Sequence, residues 1–378
     1  HAAVQGEGPA VLFCHGFPGL WYSWRRQLPA IAAAGFRAIA VDMRGYGRSE
    51  RPLGASEYGN QTIVADLTGL LDALGEKQAV FVGHDFGAQA CWAAALHAPE
   101  RVRGVVSIAV PYGVGFTRDD EGAAKRDAKP RRTGRRGPRP SDTYAAIAKK
   151  HFLHLHYFQK VGPAEAELGA RPRLFLKRIY WALSARGSLL DFKKFPTEGT
   201  GYLDVLAEPA EPLPWPWLSE EDLDYLVEQY MQTGPNTAFI GGLSSYRAMD
   251  VNWEHDPSYG RAKISCPSLF LCGEKDPVLQ IVTPKSLETM PERLTDLRGI
   301  ELIEDAAHAH GAEWMGQRAG GIGRAGTFSF QNSKSMTAGE GGIIVTSDDE
   351  LAAKMRSFIN CGRRPDHGWF EHFEVATN

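Results

Sequence analysis

The stretch Gly83-His84-Asp85-Phe86-Gly87, set between the apolar run Ala79-Val80-Phe81-Val82 and a helix-like segment from Ala88 to Leu96, constrains the fold more than any other feature. A strand that enters a helix through so short a turn crowds backbone against backbone, and glycines flanking the central residue leave the necessary room. The residue displayed at the tip is an aspartate. A carboxylate is already ionised at neutral pH and attacks saturated carbon directly, whereas a serine needs a base to remove its proton before it attacks a carbonyl. Asp85 therefore points to the opening of a carbon–oxygen or carbon–halogen bond.

Apolar runs recur at Val11–Cys14, Ala38–Val41, Ala79–Val82, Val105–Val110, Ser268–Leu271 and Ile300–Ile303, separated by helix-length stretches. That alternation predicts a parallel sheet covered on both faces, with strands apolar along their whole length. At 378 residues and 43% hydrophobic content the chain has material for a large core and more than one folding unit. A net charge of -3 argues against a nucleic-acid binder. The five cysteines (Cys14, Cys91, Cys266, Cys272, Cys361) follow no metal-ligand spacing, so they read as buried thiols of a reducing compartment, the cytoplasm. No apolar run is long enough to span a membrane, and no signal peptide is visible.

Between Pro111 and Trp253 the strand alternation stops and aromatic-rich, helix-like sequence replaces it, as expected of a cap inserted into the core. Its basic run Lys125–Arg139, broken by Pro and Gly, reads as a solvated loop, with a patch for nucleic acid or an acidic partner as the other reading. Glu208–Trp217 is a Pro-rich connection leading to a helix that starts at Ser219-Glu220-Glu221-Asp222.

With His15-Gly16-Phe17-Pro18, the run His15–Arg51, the segment Val80–Ala88 and Leu218–Glu254 ending in GGLSSYRAMDVNWE, residues 1 to about 298 resemble the epoxide hydrolase branch of the α/β-hydrolase family. The family pattern carries one or two further strands ahead of His1, so the chain is expected to begin inside the domain. The resemblance implies Asp85 as nucleophile and Asp276, in Gly273-Glu274-Lys275-Asp276-Pro277, as the acid that orients a histidine. By position that histidine is His308, with His310 as the alternative; it would activate the water that cleaves the Asp85 ester. The backbone N–H groups of Phe17 and Phe86 are the expected oxyanion donors. The family opens its ring with two cap tyrosines. Tyr246 matches one, His154 stands where the other belongs, and Tyr157 falls out of register.

From about Ile303 the chain instead resembles the central part of the DegT/DnrJ/EryC1/StrS sugar aminotransferases, on the run IEDAAHAHGAEWMGQRAGGIGRAGTFSFQNSKSMTAGEGGIIVTSDDELAAKMRSFINCGRRP. That resemblance implies that Asp305 pairs with the pyridine nitrogen of pyridoxal phosphate, His308 packs near the ring, Ser329 binds phosphate and Lys334 forms the Schiff base. The upstream half of such a cofactor domain is missing, so the set is expected to be non-functional. Gly321-Ile322-Gly323-Arg324-Ala325-Gly326 spells a dinucleotide fingerprint but lacks a preceding strand and is followed by strand-like sequence where a helix is required.

The expected architecture is an α/β-hydrolase parallel sheet (1–115 and 254–302) with an inserted helical cap (116–253), joined to a fragment of a fold-type I aminotransferase domain (303–378). The seam carries no linker, as in a chimeric chain. The expected reaction is epoxide opening to a vicinal diol through an Asp85 alkyl ester. It uses a small-molecule epoxide and water, with no metal, no cofactor, no nucleic acid and no membrane. Pyridoxal phosphate would enter only with a complete C-terminal domain. The alternatives are a haloalkane or haloacid dehalogenase using the same nucleophile, disfavoured because Phe86 offers no polar hydrogen to a halide, and an aminotransferase fragment or inactive chimera.

Overall fold

Five strands organise the first half of the chain: β1 (Ala2–Gln5), β2 (Ala10–Cys14), β3 (Arg37–Val41), β4 (Ala79–His84) and β5 (Val102–Ile108). The computed structural model describes residues 1–113, 138–273, 275–278, 287, 290–305, 313–314, 317–318, 325–329 and 342–359. The chain divides into one unit of His1–Ser268 with Asp276–Arg298 and a second of Leu269–Lys275 with Gly299–Asn378. Most of the basic run, residues 125–137, lies outside the described residues, as does Cys361.

Within the first unit the strand order is β1-β3-β2-β4-β5. β2 pairs in parallel with β3 and β4, and β4 with β5, while β1 closes the edge by running antiparallel to β3. The sequence reading did not anticipate β1; its four residues are only half covered, so they carry little apolar signal. Every residue of β2 is buried, as a central parallel strand requires. Helices α1 (Gln27–Ala33), α2 (Asn60–Ala73) and α3 (Phe86–His97) make the crossovers. In α2 the buried apolar residues Val64, Leu67 and Leu71 fall three and four apart and form one stripe. In α3 the small residues Gly87, Ala88, Ala90, Cys91, Ala93, Ala94 and Ala95 are all buried, which lets this helix lie close behind the strand that feeds it.

The cap, among the described residues, is helical: α4 (Pro140–Ala148), α5 (His154–Tyr157), α6 (Pro163–Ala170), α7 (Pro172–Ala182), α8 (Tyr202–Val205), α9 (Glu220–Met231) and α10 (Ile240–His255). Pro opens α4, α6 and α7, where its fixed φ suits the first turn and its missing N–H costs nothing. The expected start of α9 is a reciprocal capping box: Asp222 N–H donates to Ser219 Oγ (3.1 Å) and Ser219 N–H to Asp222 Oδ2 (3.0 Å). The same carboxylate accepts from Tyr22 Oη (2.9 Å) and Arg25 Nη2 (2.8 Å) of the core. Burial pushes the pKa of Asp222 up, but these donors outweigh it and hold the group below its ordinary value. Arg51 adds a second tie, donating to the carbonyls of Gly47 (2.7 Å), Gln229 (2.8 Å) and Tyr230 (2.8 Å).

The second unit holds β6 (Ser268–Gly273, all but its first residue), β7 (Leu297–Asp305, from Gly299), β10 (Ala325–Ser329) and β11 (Gly342–Val345), hydrogen-bonded in that order. β7 and β10 are parallel, β10 and β11 antiparallel. A two-residue ribbon, β8 (Glu313–Trp314) with β9 (Gln317–Arg318), precedes the glycine-rich run, so a short strand does stand ahead of it, contrary to the sequence reading. The element that follows is nonetheless the strand β10 rather than a helix, and the dinucleotide motif stays rejected. A helix, Asp349–Ile359, follows β11.

Arg247 and Glu165, each 7% exposed, form a buried ion pair in the cap: Nη1 lies 2.7 Å from Oε1, and Arg247 Nε donates to the carbonyl of Phe158 at 2.7 Å. Glu165 Oε1 has no aligned hydrogen-bond donor, so the attraction is Coulombic and depends on dry surroundings. The pair ties α10 to α6, and the bond to the Phe158 carbonyl ties it to the end of α5. Glu165→Ala strands the guanidinium in the interior and is expected to cost about 3–5 kcal/mol, whereas a double substitution to apolar residues should cost much less. Urea unfolding midpoints of the two variants check this.

Candidate active site

The β2–β4 register aligns Cys14 with Gly83, so the loop leaving β2 and the turn leaving β4 emerge side by side at the carboxyl ends of parallel strands. Asp85 occupies that turn with φ 55° and ψ −121°, a strained conformation for a residue with a side chain. Backbone packing explains the glycines. A Cβ on Gly83 would strike the carbonyl of Gly87, one on Gly87 would strike that of Cys14, and one on Gly16 would strike Asp85 itself. Phe17 N–H donates to Asp85 Oδ1 at 3.0 Å, and the N–H of Phe86 also bonds to this carboxylate. The two N–H groups named from sequence thus both reach the Asp85 carboxylate. His15 braces the loop from below: Nδ1 meets the carbonyl of Gly16 (2.8 Å) and Nε2 accepts from Met43 N–H (3.0 Å). Burial lowers the pKa of His15 to about 4, so it is a neutral strut with its proton on Nδ1.

Burial pushes the pKa of Asp85 above the ordinary carboxylate range, opposed by His84 and by the two N–H donors. Asp276, half-buried, is likewise raised by burial and by the charge of Asp85, against the pull of Val278 N–H (2.8 Å to Oδ1) and His84. Asp276 therefore lies in the electrostatic field of Asp85. The histidine that should stand between them, His308 or His310, lies outside the described residues.

From the cap, Tyr246 of α10 sets its ring against Phe86 (4.9 Å, interplanar angle 80°) and Phe17 (6.4 Å). Desolvation together with the charge of Asp85 raises its pKa well above 10, so it keeps its proton. His154 packs edge-on to Tyr246 at 5.9 Å. It is buried, its Nδ1 has no hydrogen-bond partner, and desolvation lowers its pKa to about 4. Tyr157, out of register in the sequence, is engaged elsewhere, donating to Glu167 Oε2 at 2.9 Å. A residue that sequence reasoning passed over is Tyr202, whose ring stacks on His154 at 5.6 Å and 27°. Nothing in Gly201-Tyr202-Leu203-Asp204 signals a role, since its proximity arises only in three dimensions. A cavity of about 40 Å³ behind Phe86, walled by His15, Tyr46 and Ser245 among others, does not include Asp85 and has room for about one water.

For the aminotransferase-like residues, the register pairs Asp305 at the end of β7 with Thr327 of β10, two residues before Ser329. Lys334 and His308 lie outside the described residues, and the helix described in this unit follows an antiparallel strand instead of opening on the strand ends. No chemical step is derived through pyridoxal phosphate. Among the described residues no group of acidic, His and Cys side chains is arranged to hold a metal.

The α/β-hydrolase fold family matches residues 9–308, and the DegT/DnrJ/EryC1/StrS aminotransferase family matches 289–378, the two overlapping over the seam. The chain belongs to the α/β-hydrolase fold family, among its epoxide hydrolases. It is 36% identical to "Epoxide hydrolase A" of Mycobacterium tuberculosis over 87% of this chain and 92% of that protein. It is 37% identical to "Epoxide hydrolase" of Caballeronia sordidicola over 82% and 84%. Among solved structures, an epoxide hydrolase from an endophytic Streptomyces superposes with a TM-score of 0.68 at 36% identity, covering 80% of this chain and 84% of that one. Epoxide hydrolase A from Mycobacterium thermoresistibile gives 0.65 at 37%, covering 78% and 84%.

The raised pKa of Asp85 has a stability consequence. A carboxyl group whose folded pKa exceeds its unfolded value destabilises the fold fully above the folded pKa and not at all below the unfolded one. Asp85→Asn removes the buried charge and is expected to raise the melting temperature at neutral pH. The gain should shrink as pH falls through the folded pKa of Asp85, and melting curves from pH 4 to 8 measure it.

Proposed function

We propose that this enzyme opens epoxides to vicinal diols through an ester on Asp85. The observation that carries the reading is a half-buried, ionisable carboxylate at a strained turn, held by the Phe17 and Phe86 N–H groups, with the protonated phenol of Tyr246 in its electrostatic field. In the first half-reaction an Asp85 oxygen attacks a ring carbon and the carbon–oxygen bond breaks. Its electron pair goes to the oxygen, which takes the Tyr246 proton. His154 is a neutral imidazole, so it offers a hydrogen bond rather than an acidic proton.

In the second half-reaction, water attacks the ester carbonyl. The Phe17 and Phe86 N–H groups stabilise the oxyanion, and the base is His308, or His310, oriented by Asp276. One proton of that water reaches the diol and the other restores Tyr246. The proposed substrates are a small epoxide and water, and the hydrolase needs no cofactor. The domain reading is a core at 1–115 and 254–302, a cap at 116–253 and a non-functional aminotransferase-like fragment at 303–378, whose family match supports it. We place the protein in the cytoplasm, a reading supported by the free thiols of Cys14, Cys91, Cys266 and Cys272. No helix among the described residues is long and apolar enough to cross a membrane.

Incubation with styrene oxide followed by mass measurement of the Asp85 peptide is expected to detect the covalent ester, and Asp85→Asn should abolish both ester and turnover. Full turnover by Asp85→Asn, with the substitution verified by mass after the assay, rules the mechanism out. Ester formation should fall as pH drops through the raised pKa of Asp85, because only the carboxylate attacks. His308→Gln should leave ester formation intact and make the ester accumulate; multiple turnover without accumulation moves the base to His310.

A further inference from the structure

A phenol taken out of water needs a new partner for its O–H, because a dry, unpaired hydroxyl forfeits the hydrogen bonds it made to solvent. Tyr46, in the loop after β3, is 3% exposed, and its Oη has no aligned partner among the described residues. Burial, and after it the charge of Asp85, raises the pKa of Tyr46 well above 10, and the Ser245 hydroxyl lies close enough to temper the rise. The two hydroxyls are nonetheless not in line for a direct bond. Both border the cavity of about 40 Å³ behind Phe86, and Gln89 of α3 stands on the same wall. We propose that this cavity is a water site in which one molecule bridges Tyr46 Oη, Ser245 Oγ and the Gln89 amide, and that the bridge makes Tyr46 a positioning residue for Tyr246. The positioning half of the inference rests on the epoxide-opening reading above.

The other polar side chains of the wall hold bonds of their own. His15 uses both ring nitrogens, on Gly16 and on Met43. Tyr58 Oη donates to the Pro52 carbonyl (2.7 Å), Arg44 Nε to Asp66 (2.6 Å) and Asn60 Nδ2 to Asp256 (2.9 Å), while Asn252 Oδ1 accepts from Asn60 N–H (2.7 Å). Ser245 Oγ donates to the Gly241 carbonyl at 2.8 Å, so its oxygen can still accept. The Tyr46 hydroxyl can donate, and the Gln89 amide can do either. Three such groups match the hydrogen-bonding capacity of a buried water, and the volume suffices for one.

Tyr46 touches both sides of the site. Its ring meets His15 edge-on at 4.7 Å and Phe17 at 6.4 Å, in the loop whose Phe17 N–H reaches Asp85. From the cap, α10 presses its first turn onto the same region. A Cβ at Gly241 would strike the Gly45 carbonyl and the Tyr46 ring, and one at Gly242 would strike the Phe17 ring. One turn further on stands Ser245, the residue directly before Tyr246. A bridge from Tyr46 to Ser245 therefore fixes the rotation of α10 about its own axis. With it goes the direction in which Tyr246 sets its ring against Phe86. The charge of Asp85 acts on both phenols, which places Tyr46 and Tyr246 in one electrostatic neighbourhood.

The test joins crystallography to single-turnover ester formation on Asp85, with styrene oxide and the full-length chain. Electron density of the unmutated chain is expected to show a water between Tyr46 Oη, Ser245 Oγ and Gln89. Tyr46→Phe, which removes only the hydroxyl, should lose that water and slow ester formation on the order of tenfold. In a Tyr246→Phe background the same substitution should change the rate by less than about twofold, because the residue it positions has lost its donor. A hydroxyl that merely supports the fold would cause the same loss in both backgrounds. Ser245→Ala is expected to repeat the kinetic loss and serves as the second variant if Tyr46→Phe does not fold. A cavity without water density in the unmutated chain, equal losses in the two backgrounds, or an unchanged rate in Ser245→Ala overturns the proposal. Absence of any Asp85 ester in the unmutated chain overturns the epoxide-opening reading instead, and the density alone then decides the water site.

Discussion

The close approach of three backbone segments around Asp85 is the constraint on which the site depends. The register of β2 against β4 brings the carbonyl of Cys14 against Gly87, Gly83 against Gly87, and Gly16 against the nucleophile. No side chain fits at these glycines. The strain of a positive φ at Asp85, of order 1–3 kcal/mol, persists because the strand before it and the buried helix after it leave the turn no alternative. The same compression aims the N–H of Phe17 at the carboxylate. In the proposed mechanism oxyanion stabilisation and nucleophile presentation therefore share one geometric cause.

Burial then sets the protonation states. Removing Asp85 from water raises its pKa, yet two backbone N–H groups and His84 work against the rise. Tyr246 receives no such help: burial and the neighbouring carboxylate both hold its proton in place. Both groups are pushed toward the protonated form, but a carboxyl starts about six pH units below a phenol, which leaves a pH range in which Asp85 is ionised while Tyr246 keeps its proton. The cap delivers the phenol, and the Arg247–Glu165 pair and the Asp222 and Arg51 ties hold the cap helices where that delivery works.

What could be read from sequence were features with a local cause. The turn glycines, the apolar strands, the capping box at Ser219 and the position of Tyr246 each follow from neighbours close in the chain. Three-dimensional neighbours were not legible. His154 could be placed by register as the residue standing where a tyrosine belongs, but its burial, and hence its neutrality, comes from aromatic rings brought together by separate segments of the cap. Tyr202, on a different helix, meets it only through the fold. β1 escaped notice for a different reason: an edge strand covered on one side needs few apolar residues.

The two half-reactions place unequal demands on the chain. In the proposed mechanism ring opening needs a charged carboxylate and a protonated hydroxyl, and Phe17, Asp85, Phe86 and Tyr246 all come from one unit, in segments well before the seam. Ester hydrolysis adds a general base, and the candidates for it follow β7, at or just beyond the stretch that both families match. A sequence change at that point leaves the nucleophile, its oxyanion donors and its acid untouched, while everything about the water-activating step rests on one histidine at the junction. On the proposed mechanism, alkylation thus draws only on residues of the first unit, and catalytic turnover draws on the residues of the junction as well.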